Sequence, residues 1–163
     1  MTTLPTPAEM DEYYANEDPW GYESHADDLK RKYEILSQVR YQYQRALDIG
    51  CGEGWITQDL CANQKYGLEL SPVAASRCPE SVTVITEPVG TYDLVIATGV
   101  LYKHYDYHRF LDIIKKHASE TIITCNIESW EVPEVMNIGT QTFTKVFPYR
   151  NYTQRLRVFE ALS

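Results

Sequence analysis

The residues of this chain best placed to do chemistry lie in one stretch, Ala46-Leu-Asp-Ile-Gly-Cys-Gly-Glu-Gly54. An apolar strand runs there into a glycine-rich turn and on toward a helix. Glycines at 50 and 52 let the backbone turn tightly and approach a ligand where a β-carbon would clash. The pattern is GxGxG. It is not the GxGxxG of dinucleotide loops, which seat a pyrophosphate on a helix N-terminus. Asp48 stands at the strand end, where a carboxylate must find partners. A ligand carrying an ammonium group would supply one. Glu69 ends the next apolar run, 19 residues after Gly50. A carboxylate at that tip can accept both hydroxyls of a ribose. Either acid alone reads as a satisfied loop residue. The whole series of strand, GxGxG loop, helix, strand and acid points to a nucleoside-type cofactor.

These residues need elements to hold them. Leu29, Tyr33, Leu36 and Val39 recur at helical spacing, so a helix is expected over 24–43 with Ser24 as its cap. After it, short apolar runs (RALDI, KYGLEL, VTVIT, YDLVIA, TIITC) alternate with helical stretches (TQDLCAN, PVAASRC, DYHRFLDIIKKHA). That alternation implies an α/β fold with a mainly parallel sheet. TQTFTKVF and RLRVFEAL read as two closing strands around Pro148–Tyr152, forming an antiparallel hairpin-like edge. Residues 1–163 are expected to form a single domain: a leader or lid over 1–23, a cofactor-binding core over 24–125 and C-terminal strands over 126–163.

With these pieces in place, the chain resembles the class I S-adenosylmethionine-dependent methyltransferases, with LDIGCGEG as the glycine motif and GLELS as the acidic motif after it. DPWGYESHADDLKRKYEIL followed by ATGVLYKHYD is similar to the small nodulation-type N-methyltransferases, which methylate amino sugars. The resemblance implies a Rossmann-like, seven-stranded, mainly parallel sheet in the order 3-2-1-4-5-7-6, with an antiparallel final strand. It implies S-adenosylmethionine as cofactor. Asp48, Ile49, Gly50, Cys51 and Gly52 would hold the methionine end. Glu69, with Leu70 and Ser71, would take the ribose, and Thr86 and Glu87 would flank the adenine. Ala97, Thr98 and Gly99 would line the cofactor at the end of the fourth strand. Tyr14 and Trp20 would wall the site from the DPWGY segment, which folds over the cofactor. The chain departs from the family pattern at Gly99, where an acid is usual, and at Lys103, where a histidine is usual.

Methyl transfer is an in-line displacement at a sulfonium carbon, so the protein chiefly aligns the acceptor and excludes water. An amine must be neutral to attack, and a nearby base helps. Ligands on open α/β sheets sit beyond the carboxyl ends of the strands, which puts 98–105 beside the methyl group. Tyr102, His104 and Tyr105 are the candidate catalytic side chains, as shapers and proton acceptors. His25, His108 and His117 read as helix-surface residues. Many of the 13 tyrosines, Tyr149 and Tyr152 among them, fall in segments that should border this site. Aromatic walls suit sugars and methylammonium groups alike.

Charge narrows the partners. Residues 1–28 hold eight acids and no lysine or arginine, whereas the rest carries fifteen of each sign. This is a poor footprint for a phosphate backbone, so nucleic acid is not the expected partner. The leader reads either as a solvated terminus or as an acidic lid that attracts a cationic substrate. Residues 10–22 are expected to order when the cofactor binds. No apolar run is long enough to span a bilayer. Four scattered cysteines without a CxxC pair suggest neither zinc nor disulfides, and suit a reducing cytoplasm. The expected function is methyl transfer to nitrogen or oxygen of a small polar acceptor, an amine or amino sugar being one candidate. The alternatives are a module that keeps the pocket without catalysis, which Gly99 and Lys103 favour, and methylation of a protein or nucleic acid within a complex.

One spacing has a structural consequence. Only Thr86–Tyr92 can carry the chain from the third strand past the second and first to the fourth. Seven extended residues span at most about 23 Å, just enough for a taut strap and too few for a crossover helix. One face of the sheet should then be covered by little beyond the helix over 106–118. Since both faces of the fourth strand are apolar, a second copy is expected to cover that face in a homodimer, the alternative being that the Tyr- and Phe-rich C-terminal segment folds back over it.

Overall fold

The computed structural model describes residues 6–13 and 25–162. Seven strands form one sheet: β1 (Tyr43–Ile49), β2 (Ala62–Leu68), β3 (Val82–Ile85), β4 (Tyr92–Thr98), β5 (Ala118–Ile127), β6 (Gly139–Tyr149) and β7 (Tyr152–Ala161). Their order is β3-β2-β1-β4-β5-β7-β6. The pairs from β3 to β5 are parallel, and β7 runs antiparallel to both its neighbours. The expected sheet, order and reversed strand are all present. Pro148 falls within β6, which is an edge strand, where a missing amide donor is tolerated.

The central strands bury both faces, as parallel strands between two layers must. Leu47, Ile49, Val95, Ala97 and Ile122 face one cluster with the helix α4 (Tyr107–His117). Ala46, Leu94, Ile96 and Ile123 face the other with the helix α2 (Ala26–Leu36). The α4 face is closed from within the chain. Val132, Val135 and Ile138, from the segment after β5, complete what α4 leaves uncovered. Leu94, Val95, Ile96 and Ala97 are fully buried in the single chain. Among the described residues, the β4 face that was expected to need a second copy is therefore covered from within the chain.

Two helices differ from expectation. The helix expected over 24–43 spans Ala26–Leu36 and is capped by His25, whose side chain accepts from the Asp27 amide at 3.2 Å. Ser24 lies outside the described residues. The buried face also differs, since Leu29 and Tyr33 are 41% and 63% exposed while Asp28, Arg31, Lys32 and Ile35 are buried. The charges turn inward because each has partners there. Asp28 accepts from the Tyr149 hydroxyl and the Arg150 guanidinium at the β6–β7 turn. Lys32 pairs with Asp59 at 2.6 Å and lies over the Trp55 ring. The second departure is the helix expected over 57–63, which shrinks to a 3-10 turn at Thr57–Asp59 because β2 begins at Ala62, opposite Tyr43 of β1. Two short helices, α1 (Pro7–Tyr13) and α3 (Pro72–Ser76), complete the elements.

Residues 86–91 contain no helix and form the expected strap. Arg45 of β1 binds it, donating to the Thr91 and Val89 carbonyls at 2.9 Å each. From α4, Arg109 donates to the Thr86 carbonyl at 3.1 Å and His117 Nδ1 lies 2.6 Å from the Gly90 carbonyl oxygen. His117 thus tethers the strap and is not an idle surface residue.

Candidate functional site

The parallel strands end together on one edge of the sheet, and the turns that leave them build the site. After β1 the chain turns through Gly50, Gly52 and Gly54, at φ of 72°, 58° and 79°. Only glycine adopts these angles without strain. Gly50 has a second constraint, because a β-carbon there would meet Val100 Cγ1 at 2.6 Å. Ile49 and Ala97 are wholly buried in the core beneath, so only their backbones face this edge.

Two buried carboxylates flank the loop. Asp48 is 3% exposed and accepts from the Thr57 hydroxyl at 2.7 Å. Burial raises its pKa to about 7, with Glu69 adding to the rise while Thr57 and the guanidinium of Arg31 oppose it. Glu69 accepts from the Gly52 amide at 2.8 Å through Oε1 and from the Ser71 amide at 2.9 Å through Oε2. These amides fix the orientation of the carboxylate. Ser71 is buried and caps α3 by accepting from the Ala74 amide at 3.1 Å, while Leu70 is exposed. Arg77 ties the loop to the end of α3 through an ion pair with Glu53 at 3.3 Å.

Arg31 is a site residue that the sequence reading missed. It is buried, and a β-carbon on Gly99 would meet its Nη2 at 3.3 Å. A glycine at 99, where φ is 71°, leaves room for this guanidinium at the end of β4. The signal was available in the sequence, since Asp28, Arg31, Lys32 and Ile35 follow the helical spacing of one face.

Beyond β4 and β5 the edge becomes aromatic. Tyr102 is buried, and its hydroxyl accepts from the Ile127 amide at 2.7 Å, joining the two post-strand loops. Its ring is stacked on His104, with centroids 5.4 Å apart and planes at 19°. Tyr105 lies 4.4 Å from His104, and Trp130 meets Tyr102 edge-on at 5.7 Å. Tyr152, from the start of β7, meets Trp130 at 5.0 Å. Trp130 and Tyr152 are each 43% exposed, so the cluster is an open ledge on a buried floor. Trp130 carried no periodic or motif signal. Partial burial lowers the His104 pKa below its usual value.

The other expected site residues distribute as follows. Thr98 and Gly99 stand at the end of β4 between the glycine loop and the ledge. Thr86 and Glu87 begin the strap after β3, with Glu87 paired to Arg109 at 3.2 Å. Tyr14 and Trp20, and most of the lid expected over 10–22, lie outside the described residues.

Comparison with solved structures identifies this architecture. An N-methyltransferase from Bradyrhizobium japonicum, NodS, solved with S-adenosylhomocysteine, superposes with a TM-score of 0.80 at 16% identity over 96% of this chain and 98% of its own. The chain has the class I methyltransferase fold. Magnesium protoporphyrin IX methyltransferase from Synechocystis, solved with SAM, matches with a TM-score of 0.69 at 16% identity, covering 99% of this chain and 100% of its own. The [4+2]-cyclase SpnF shares the methyltransferase fold with a TM-score of 0.71 at 10% identity, over 97% of each chain. No protein-family model matches the sequence, and no curated protein matches it. A likeness at these identities establishes architecture, and any function must be argued from the site.

Proposed function

We propose that this chain transfers a methyl group from S-adenosylmethionine to a nitrogen or oxygen of a small, ring-bearing acceptor. The observation that carries the reading is the pair of buried carboxylates, Asp48 and Glu69, held on either side of a loop of positive-φ glycines. A buried acid and a buried guanidinium near one another, Asp48 and Arg31, are complementary to the ammonium and carboxylate of an amino-acid group. Glu69 has its oxygens oriented by two amides and suits a vicinal diol. Gly50, Cys51 and Gly52 offer backbone to the same ligand, with Thr86 and Glu87 placed for its base and Leu70 and Ser71 beside its ribose. Tyr14 and Trp20 would close over it. When bound, the cofactor supplies an electrophilic methyl on a cationic sulfur.

The acceptor side follows from the ledge. Tyr102 holds the loops after β4 and β5 together, which fixes the rings above it. His104 is kept neutral at physiological pH by partial burial and can accept the proton that an amine or hydroxyl releases. Tyr105, Trp130 and Tyr152 offer faces and edges to a ring, each such contact contributing about 0.5–1.5 kcal/mol. The 163 residues act as one domain, and the case for nucleic acid stays weak with an acidic leader on a charge-balanced body. Among the described residues no helix is long and apolar enough to cross a membrane. All four cysteines are free thiols, as a reducing compartment such as the cytoplasm would keep them.

Calorimetry with S-adenosylhomocysteine tests the cofactor, and a methyl-release assay over ring-bearing amines and alcohols tests the reaction. Binding without turnover across the panel would favour a module that keeps the pocket and lacks catalysis. The cavity for Arg31 at Gly99 and the lysine at 103 already lean toward that second reading. Absence of binding would overturn both.

A further inference from the structure

Two thiols that are 27 residues apart in the chain converge beside the glycine loop. The Sγ atoms of Cys51 and Cys78 both contact the Gly52 carbonyl oxygen, at 3.6 and 3.3 Å, which brings the two thiols to one point of the loop. The room that Cys51 occupies is provided by a missing side chain, since a β-carbon on Gly67 would meet its Sγ at 2.4 Å. Both cysteines are half-buried, within reach of a small reagent and shielded from other protein thiols. The other two differ, as Cys61 is exposed and Cys125 is buried against Gln154.

We propose that Cys51 and Cys78 are a peroxide-modifiable thiol pair whose disulfide closes the cofactor loop. The neighbouring Cys51 thiol lowers the Cys78 pKa, which favours Cys78 as the attacking sulfur. Cys78 attacks one oxygen of hydrogen peroxide, forming an S–O bond and breaking the O–O bond, and the departing hydroxide takes up the Cys78 proton. Cys51 sulfur then displaces the second hydroxide, which leaves as water with the Cys51 proton. The two thiols lose two electrons, and the peroxide is reduced to two waters. Bonding the sulfurs draws Cys51 toward Cys78 and displaces the Gly52 carbonyl that both sulfurs contact. The Gly52 amide is one of the two that orient Glu69. Loss of ligand binding on oxidation rests on the proposed function, whereas formation of the disulfide does not.

The test treats the full chain with hydrogen peroxide, alkylates it and maps the peptides by mass. A Cys51–Cys78 linked peptide, two hydrogens lighter than the reduced pair, is expected. Affinity for S-adenosylhomocysteine should fall at least tenfold and recover with dithiothreitol. Cys78→Ser should bind as the parent does before peroxide and keep its affinity after it. Separately alkylated Cys51 and Cys78 peptides after oxidation would overturn the pair, and the mapping needs no variant. A linked peptide with unchanged affinity would overturn the closing of the loop. Reduced protein that binds no S-adenosylhomocysteine would instead remove the proposed function, while the linked peptide alone would still decide the pair.

Discussion

The two halves of the sheet edge are built on opposite principles. At the ends of β1 and β2 the working groups are buried, and their positions are set by backbone amides, positive-φ glycines and neighbouring charges. Glu69 is held by the amides of Gly52 and Ser71, and Asp48 by Thr57. At the ends of β4 and β5 the groups are rings that hold one another, with Trp130 and Tyr152 nearly half open to solvent. A site fixed by backbone suits a ligand that never changes. A site made of side chains can differ in shape between proteins that share one sheet. Solved structures with this fold include an N-methyltransferase, a porphyrin methyltransferase and a cyclase.

If the halves are separable, substitutions at the glycine loop should abolish ligand binding and those on the ledge should leave it alone. The largest effect is expected for Gly52→Val. A β-branched residue at φ of 58° is strained. Binding of S-adenosylhomocysteine should disappear in calorimetry, and thermal unfolding should show a loss of about 1–3 kcal/mol.

Asp48→Asn should lower ligand affinity by roughly 2–3 kcal/mol through a lost charge-assisted contact to the ammonium group, yet stabilise the free protein. The folded-state pKa of Asp48 is raised from 3.8 to about 7 by burial, so the native protein holds a proton that the unfolded chain releases. Stability is present below pH 4 and lost as pH rises toward 7. The buried charge then costs up to about 4 kcal/mol. Denaturation of the variant between pH 5 and 8 should lack that slope. Affinity of the parent for S-adenosylhomocysteine should rise across the same window, as Asp48 ionises. A parent without either dependence would contradict the role given to Asp48.

Glu69→Ala should weaken binding by about 1–3 kcal/mol. Isothermal titration of the variant reads this directly, and an unchanged Kd would remove Glu69 from the site. The smallest effect belongs to the ledge. Trp130→Ala should raise KM for the acceptor by roughly 0.5–1.5 kcal/mol and leave affinity for S-adenosylhomocysteine unaltered. A variant that lost both equally would show that the two halves act as one site.

How much of this was legible in the sequence depends on whether the information is local. The strands, the glycine turn and the acid after β2 were, because period, turn chemistry and spacing are properties of neighbouring residues. The strap was also legible, since the reach of seven residues is fixed by bond geometry. From it followed the absence of a crossover helix, though not the conclusion drawn about a second copy. That failed because Val132, Val135 and Ile138, in a segment of irregular pattern, fold onto the open face. The helix over 26–36 was mistaken in its orientation for a related reason. Periodicity places Leu29 and Tyr33 on one face and Asp28, Arg31, Lys32 and Ile35 on another, but it cannot say which face turns inward. Partners decided it, namely Tyr149 and Arg150 for Asp28 and Asp59 for Lys32, all distant in the chain.

What the sequence determined by itself is the set of strands, the glycine turn after the first of them and the acid after the second, while the strand order came with the family resemblance. Tertiary structure alone decided which side chains meet across that edge. Trp130 beside Tyr152, Arg31 against Gly99, and Cys51 and Cys78 on one Gly52 carbonyl bring together segments that are distant in the chain. Local backbone preferences carry no information about such pairs. They arise when strand order and register bring the ends of β1, β4, β5 and β7 to one edge, and packing then selects the side chains that fit.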